Sequence, residues 1–419
     1  MTAAVLVFVL TYLVIASRQL TILQLDRPSG ALIGAVAMVA VGGLGIDAAL
    51  HAVDMHVLTL LLGVMLIAAY LQEAKLFRFV AYLVLTRTGS ARSLLWGLTF
   101  VAGALSAFLV NDTVCLVLTP LVVMVAVEAR LPVMPYLLAL AGATNLGGVV
   151  SFSGNPQNML IGRAAHGHPS FAQYLAVTLP VGLACLAANA ATLTWLFRRE
   201  LPRGHLGDRS PPRPGIDRVL AGKGVLALAA FAVAALAGVP LAGAAIAAAA
   251  GLILIARIEP RRALALVDWQ ILLFFAGLFV VVEGLRSTGV LADALDALAP
   301  VIHRGDALGD AAFVGLTVVG SNLVSNVPYV MLAADSVPAM PDPTWGWIML
   351  AVASTLAGNL TLMGSVANVI VMEAAGPRGE IGFFRFVRYG VVMTAVSLVV
   401  AFAILVAERE LGFFALVGL

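Results

Sequence analysis

Two short polar stretches interrupt long apolar segments of this chain: GNPQN at 154–158 and GSVAN at 364–368, which lie 210 positions apart. Asn and Ser side chains carry hydrogen-bond donors and acceptors, and glycine lets backbone approach a solute closely. A helix in lipid must satisfy its own backbone groups, so a polar break at mid-depth is costly unless it lines a cavity or a site. The same break in matching halves is typical of a membrane protein built from repeats around a central binding site.

Two further stretches, 92–128 and 310–337, each carry a polar tip near the middle of an apolar run. The tips are Asn111-Asp112-Thr113 and Ser325-Asn326. Each stretch is long enough for two short helices, and we interpret both as re-entrant hairpins that enter and leave the membrane on the same side. The alternative is a pair of ordinary spans in each stretch.

These four polar elements are expected to converge near the bilayer midplane and to bind a small anionic or polar solute. Half-helices that begin there direct N–H groups and the positive end of the helix dipole at the site, which favours an anion. The breaks also free backbone carbonyl oxygens, which suit a small cation. The candidate substrate- and ion-binding residues are Asn111, Asp112, Thr113, Gly154, Asn155, Asn158, Ser325, Asn326, Gly364, Ser365 and Asn368.

Asp112 is the one carboxylate that the pattern puts deep in the membrane. Because an intramembrane carboxylate is costly and marks an ion pathway or a proton relay, Asp112 is predicted to carry the coupling ion, Na⁺ or H⁺. The alternative is that its side chain caps the following helix. Cys115 and Cys185 lie in apolar runs, and the histidine pair His166 and His168 has no third ligand nearby. No cofactor is therefore expected, and no metal beyond a Na⁺ at the candidate residues.

The composition identifies an integral membrane protein. Of 419 residues, 62% are hydrophobic and only 11% are charged, whereas a soluble domain carries roughly 25% charged residues. The mean hydropathy is +1.04. The formal net charge of +2 gives no reason to expect a nucleic-acid partner. The expected partners are the lipid bilayer and a small solute.

The apolar runs predict an all-α polytopic membrane protein with about 10 transmembrane helices besides the two hairpins. Ordinary spans fall at 2–16, 30–50, 55–71, 171–197, 223–238, 240–256, 269–286 and 386–407. Broken helices cover 134–165 and 345–375, and shorter amphipathic stretches at 76–87 and 290–301 are expected along the membrane interface. Because the motifs recur in the same order, we predict an inverted repeat of residues 1–197 and 223–419 joined by a linker at 198–222.

Basic residues orient the chain in the membrane. The stretch 198–223 carries seven Lys or Arg against three acids, and it contains four prolines, so we predict that the linker is cytoplasmic. Counting outward from it keeps the other basic loops inside only if 92–128 returns to the cytoplasmic side and 310–337 to the outer side. The charge pattern thus favours the hairpins. Both termini are then predicted on the external face of the cytoplasmic (inner) membrane.

The chain resembles the ion transporter superfamily, which includes citrate and divalent-anion symporters, arsenite permeases and sodium/proton antiporters. The resemblance rests on LVNDTVCLVLTPLV at 109–122, SGNPQNMLIG at 153–162, SNLVSNVPYVML at 321–332 and GNLTLMGSVANVIV at 358–371. It implies two re-entrant hairpins, a scaffold domain that forms a homodimer, and elevator-like movement of the hairpin-bearing domain. The divalent-anion branch has Ser-Asn-Thr at both tips. The tips here read Asn-Asp-Thr and Ser-Asn-Val, which differs from that branch. The GNPQN and SNVP forms look closer to the arsenite-permease and sodium/proton-antiporter side.

The predicted function is secondary active transport of a small anion, an inorganic oxyanion or a carboxylate, coupled to Na⁺ or H⁺. The chain is not expected to be an enzyme, and because it has no GxxxxGK[ST] motif, its energy must come from an ion gradient. One alternative is a Na⁺/H⁺ antiporter in which Asp112 exchanges the two cations, and another is an arsenite efflux permease. A membrane scaffold or receptor without transport activity gives no reason for polar breaks in both halves.

The orientation can be tested by labelling single cysteines introduced into a background without Cys115 and Cys185. Cysteines in 200–220 are expected to react with a membrane-impermeant maleimide only from the cytoplasmic side, and a cysteine at His168 only from outside. Labelling of both positions from one side would contradict the orientation and the inverted repeat together.

Overall fold

The computed structural model describes residues 2–16, 26–41, 43–202, 213–379 and 381–419, and within these ranges it is helical with no β-strand. The all-α prediction is therefore confirmed. The first half contains α1 Thr2–Ala16, α2 Arg27–Ala40, α3 Ile46–Ala52, α4 Met55–Glu73, α5 Leu76–Arg87, α6 Ala91–Phe108, α7 Asn111–Glu128, α8 Val133–Gly148, α9 Pro156–Ala164 and α10 Phe171–Leu196. The second contains α11 Arg218–Leu236, α12 Leu241–Ala256, α13 Pro260–Leu264, α14 Trp269–Arg286, α15 Val290–Ile302, α16 Ala307–Val324, α17 Asn326–Ala333, α18 Pro343–Ala357, α19 Val366–Ala375, α20 Phe383–Glu410 and α21 Phe413–Leu416.

Eight of the described helices are long and apolar enough to cross a bilayer, namely α4, α6, α7, α10, α11, α14, α16 and α20. Four shorter apolar helices, α1, α2, α12 and α19, accompany them. Leucine and valine side chains on α1, α11, α12 and α20 are widely exposed, which is the arrangement expected of helices that face lipid. The chain is a multi-pass membrane protein.

The helices of the two halves follow the same order and pack reciprocally. Helix α2 packs against α14, and its counterpart α12 packs against α4. In the same way α1 contacts α2 and α14, while α11 contacts α12 and α4. The last long helices of the two halves, α10 and α20, pack against each other. Each half therefore completes its core with helices of the other.

The helix breaks lie at the polar stretches. Helix α8 ends at Gly148 and α9 begins at Pro156, while α18 ends at Ala357 and α19 begins at Val366. In the two hairpin stretches, Leu109 and Val110 separate α6 from α7, and Ser325 alone separates α16 from α17. The two helices of each pair contact each other, so each stretch folds as a helix–turn–helix with its polar residues at the turn.

The prediction of one span over residues 30–50 is wrong. Helix α2 ends at Ala40, and α3 begins only at Ile46. Gly43 and Gly45 lie in this connection, and glycine disfavours a helix interior because it loses the most backbone freedom on folding. The second half bends at the matching place, where Arg257 adopts a left-handed backbone conformation (φ 58°) after α12.

Helices α6 and α8 approach each other closely where two glycines meet. A Cβ atom on Gly147 of α8 would overlap the backbone of Gly103 on α6. Small residues at helix crossings allow such an approach between membrane helices. This contact holds the first hairpin against α8, which leads directly into the first break.

Replacing Gly147 by Ala is expected to destabilise the protein by about 1–3 kcal/mol, because the new methyl group meets backbone that has no room to move. The measurement is the melting temperature of the detergent-purified protein. Gly243→Ala on α12 is the matched control, because a Cβ there meets nothing within 4 Å. Alanine is the better helix former by about 1 kcal/mol, so the control should melt at the wild-type temperature or above it. Equal melting temperatures for wild type and Gly147→Ala would contradict the packing.

Candidate functional site

Four helices begin at one small cavity. The first residues of α7, α9, α17 and α19 are Asn111, Pro156, Asn326 and Val366, and all four line a cavity of about 250 Å³. This volume includes space open to the surroundings, so the cavity suits only a small solute. Its remaining lining residues are Asp112, Gln157, Phe275, Ser325, Val327 and Ser365.

Three of these helices begin without a side-chain cap. The N-cap residues Val110 of α7, Ser325 of α17 and Ser365 of α19 accept no hydrogen bond on their side chains from the helix that follows. Only α9 is capped, because the Asn158 amide donates to Oδ1 of Asn155 at 2.8 Å. The first N–H groups of a helix have no partner within it. Uncapped helix starts thus direct backbone N–H groups and a positive potential toward the cavity.

Ser325 forms the turn of the second hairpin in a conformation that is rare for a residue with a side chain. Its φ is 71° and its ψ is 159°. Such positive-φ conformations cost on the order of 1–3 kcal/mol and concentrate at functional sites. The turn carries the chain from α16 into α17 within one residue, which brings Ser325 and Asn326 to the cavity.

Asp112 lies in the first turn of α7 and is only 3% exposed. Among the described residues, none donates a hydrogen bond to its carboxylate. It does not cap α7, because Val110 occupies the N-cap position. Asp268 and Arg27 act on the carboxylate through space. The cavity thus contains a buried carboxylate whose hydrogen-bonding capacity is unused within the described part of the chain.

Two asparagine amides close to Asp112 present oxygens without a partner. Oδ1 of Asn111 and Oδ1 of Asn326 are buried and accept no hydrogen bond from any described residue. The Asn111 amide is oriented by its other end, because Nδ2 donates to Oδ1 of Asn145 at 3.1 Å. Burying such an oxygen without a partner is costly. Together with the Asp112 carboxylate, these oxygens form a donor set that suits a hard cation.

Asn158 and Asn368 play the same role in the two breaks. Nδ2 of Asn158 donates to the carbonyl oxygens of Gly148 at 2.9 Å and Ser151 at 3.3 Å. Nδ2 of Asn368 donates to the carbonyl oxygens of Gly358 at 2.6 Å and Thr361 at 3.0 Å. Both side chains therefore satisfy backbone that the breaks leave without helical partners, which lipid cannot do.

Each break is also bound by α8 or α18 of the opposite half, the helix that leads into that half's own break. On α8, Asn145 accepts from Ser365 Oγ at 3.0 Å and donates to Oδ1 of Asn359 at 2.8 Å. On α18, Thr355 accepts from Asn155 Nδ2 at 3.2 Å. It also donates to Oδ1 of Asn158 at 3.3 Å. The bonds cross between the halves in both directions, so the two breaks hold each other in register.

The hairpin turns contact the same breaks. The backbone N–H of Asn111 donates to the carbonyl of Gly154 at 3.0 Å. In the second half, Thr361 donates to Asn322 Oδ1 at 2.9 Å, and Asn322 Nδ2 donates to the Ala357 carbonyl at 3.0 Å. A Cβ on Gly154 would meet the backbone of Gly148 and Ser106. Glycine is thus required for the first break to lie against the hairpin.

The structure brings the four predicted polar elements together, but the predicted residues divide into two groups. The residues that line the cavity are Asn111, Asp112, Ser325, Asn326 and Ser365. The remaining candidates are not among its lining residues, and these are Thr113, Gly154, Asn155, Asn158, Gly364 and Asn368. Most of this second group support the backbone around the cavity.

Sequence reasoning missed Gln157 and Phe275, which line the cavity. Gln157 stands inside the GNPQN motif, but its repeat counterpart is Ala367, so a search for residues shared by both halves passes over it. Phe275 lies in the middle of the apolar helix α14 and gives no signal in the sequence. Pro156, Val327 and Val366 complete the missed lining residues.

Comparison with known proteins agrees with this architecture. A model of the citrate transporter family matches residues 11–353 of the chain. The chain is 30% identical to the silicon efflux transporter LSI3 of Oryza sativa subsp. japonica, over 84% of this chain and 86% of that protein. It is also 30% identical to the 46 kDa membrane protein of Mycobacterium leprae, over 95% and 96% of the two chains.

The fold is similar to that of the YdaH transporter of Alcanivorax borkumensis. The two structures superpose with a TM-score of 0.58 over 98% of this chain and 97% of that chain, at 17% identity. At this identity the likeness concerns the fold alone. The family match, by contrast, covers most of the sequence and agrees with a polytopic helical structure built around broken helices. The chain therefore belongs to the citrate transporter family of membrane transporters.

Proposed function

We propose that this transporter moves a small anion, an inorganic oxyanion or a carboxylate, across the cytoplasmic membrane. The transport is driven by a Na⁺ or H⁺ gradient. The observation that carries the proposal is the meeting of four helix N-termini at one cavity. Such termini bind anions through free N–H groups and the helix dipole. They are needed here because no Lys or Arg is among the described lining residues.

The coupling ion is assigned to Asp112 together with the unpartnered oxygens of Asn111 and Asn326. A cation there would neutralise the carboxylate, which otherwise repels an anion in the same cavity. Binding of the cation and of the solute would then favour each other. This mutual dependence is the thermodynamic requirement for coupled transport.

Alternating access is assigned to the two halves, which we take as an inverted repeat with residues 1–197 and 223–419 as its units. Their helices pack reciprocally, and the bonds between breaks cross in both directions. In an inverted repeat the two halves can exchange conformations, so that the cavity opens to either side. An elevator-like displacement of the hairpins and broken helices as one body, within a homodimer, would achieve this exchange.

A second candidate is efflux of an uncharged, hydroxylated oxyacid. It is favoured by the amide and hydroxyl groups of the cavity and by its negative charge, since Asp112 is the one charged side chain among the described lining residues. Amides and hydroxyls both donate and accept, so they can bind the hydroxyl groups of such a solute. A relative named for silicon efflux and the arsenite alternative raised by the sequence both belong to this chemical class.

Asp112→Asn tests the coupling. The solute is first identified by the rise in melting temperature of the purified protein with phosphate, citrate, arsenite or silicic acid, since a ligand of the folded state stabilises by RT ln(1 + [L]/Kd). In proteoliposomes, Asp112→Asn is expected to abolish accumulation driven by a Na⁺ or pH gradient, because the amide cannot carry the cation's counter-charge. Exchange of labelled solute without a gradient is expected to persist.

Asp112→Glu and Asp293→Asn are the controls for this experiment. The first keeps the charge and should retain part of the coupling, and the second removes a carboxylate from the exposed face of α15 and should transport like wild type. If Asp112→Asn accumulates solute normally, the coupling ion lies elsewhere. If the purified protein exchanges Na⁺ for H⁺ and none of the solutes raises its melting temperature, the result would contradict the proposal and support a Na⁺/H⁺ antiporter.

Variants at Gln157 and Asn158 distinguish a residue that lines the cavity from a residue that supports the backbone around it. Gln157→Ala is expected to weaken solute binding at least tenfold with little change in melting temperature, because its amide lines the cavity and makes only a 3.4 Å contact with Thr355. Asn158→Ala should destabilise the protein by about 1–3 kcal/mol, because the carbonyls of Gly148 and Ser151 lose a donor. Asn368→Ala should behave like Asn158→Ala. Unchanged solute affinity in Gln157→Ala would place the solute outside this cavity.

A further inference from the structure

A second cavity lies away from the four helix N-termini, between α5, α6, α7 and α8. It comprises about 460 Å³ of empty space, part of which is open to the surroundings, and is lined almost wholly by apolar side chains. Val80 and Val84 of α5, Leu98 of α6, and Leu121 and Val125 of α7 are among them. The hydroxyl of Tyr136, which also lines it, already donates to the Ala91 carbonyl at 2.8 Å. The cavity thus offers apolar surface and almost no free hydrogen-bonding group.

Such a cavity is suited to a hydrocarbon and not to water or a polar solute. Apolar pockets stay dry and take up apolar molecules, because water needs polar partners that these walls lack. In a multi-pass membrane protein, the apolar molecule present at the highest concentration is the lipid acyl chain. The cavity therefore has an occupant available in every membrane.

Basic residues stand at one end of this cavity. Arg87 is the last residue of α5 and lies three and seven residues after the lining residues Val84 and Val80, on the same helix face. Arg130 follows α7 directly after its lining residues Val125 and Ala126. Both arginines are exposed, and neither forms an ion pair with a residue that the structure describes. By the charge pattern, both lie on the cytoplasmic side.

The corresponding end of the second hairpin has the opposite character. Helix α15, the counterpart of α5, carries Asp293 and Asp296. The loop that follows it contains Arg304, but this arginine is paired with Asp306 at 2.9 Å. Burial is slight there, and the bond to Arg304 holds the pKa of the Asp306 carboxyl below its usual range. Among the described residues, this end of the second hairpin thus lacks the two unpaired arginines found at the end of the first.

We propose that the cavity binds an acyl chain of an anionic phospholipid, with the phosphate of the headgroup at Arg87 and Arg130. Basic pockets between membrane helices on the cytoplasmic side recognise anionic lipid headgroups in this way. Since α5 connects α4 to the first hairpin, a bound lipid packs between the hairpin and the helix that leads into it. The lipid would thereby stabilise one position of the hairpin and make transport depend on membrane composition.

The test is native mass spectrometry of the full-length protein with phosphatidylglycerol or phosphatidylcholine added to delipidated samples. We expect phosphatidylglycerol to bind more tightly, and the double variant Arg87→Gln/Arg130→Gln to weaken its binding by about 10- to 30-fold, at roughly the contribution of one Lys or Arg per contact. Ala81→Leu fills the cavity from α5 and should remove the bound lipid altogether. Arg261→Gln, an exposed arginine of α13, is the control for lost charge and should bind lipid like wild type.

Melting temperature and elution volume establish that each variant is folded, and Ala126→Leu fills the same cavity from α7 if Ala81→Leu does not fold. Equal binding of the two lipids, unchanged by Arg87→Gln/Arg130→Gln, would overturn the headgroup assignment. Wild-type binding of phosphatidylglycerol by a folded cavity-filling variant would overturn the acyl-chain site. Both readouts are independent of the transported solute, so they do not depend on the proposed function.

Discussion

The structure depends on one constraint: backbone polar groups inside a membrane must find partners within the protein. Two helices, α8 and α18, are interrupted in the interior of the protein, where the residues around the breaks are buried. The interruptions persist because Asn158 and Asn368 donate to the carbonyls that the breaks set free. The opposite half supplies the remaining partners through Asn145 and Thr355. The buried polar residues around the breaks are thus needed first of all to satisfy the backbone groups that the breaks expose.

The cavity follows from the breaks. Once α9 and α19 begin anew in the interior, their N-termini are free to meet those of α7 and α17, which begin at the hairpin turns. This creates a positive potential without a basic side chain among the lining residues, at a site that also contains the Asp112 carboxylate. Opposite partial charges thereby lie within one small volume. A fold that only satisfied its backbone would not need the unused carboxylate or the strained Ser325 turn.

Much of this arrangement was predictable because polar residues within long apolar segments are conspicuous. The hairpin turns at Asn111 and Asn326, the two breaks and the helices α5 and α15 all lie where the pattern indicates. The interruption between α2 and α3 was missed, because glycines in an apolar run do not change its hydropathy. Spacing also cannot separate Asn155 and Asn158, which support the backbone, from Gln157, which lines the cavity. That distinction depends on which face of the first turn of α9 is directed at the cavity, and the sequence does not specify this. That Phe275 lines the cavity follows from the packing of α14 against the other half, which the sequence pattern does not show.

The crossed bonds between the breaks have a consequence for how the protein is made. Asn155 of the first half finds its partner on Thr355, and Asn145 finds its partners on Ser365 and Asn359. When the ribosome has delivered the first half to the translocon, these partners have not yet been synthesised. Until about two hundred further residues have emerged, the first half therefore lacks the partners that the second half supplies to its break. The hydrogen bonds between the two breaks are thus complete only when both halves have been synthesised.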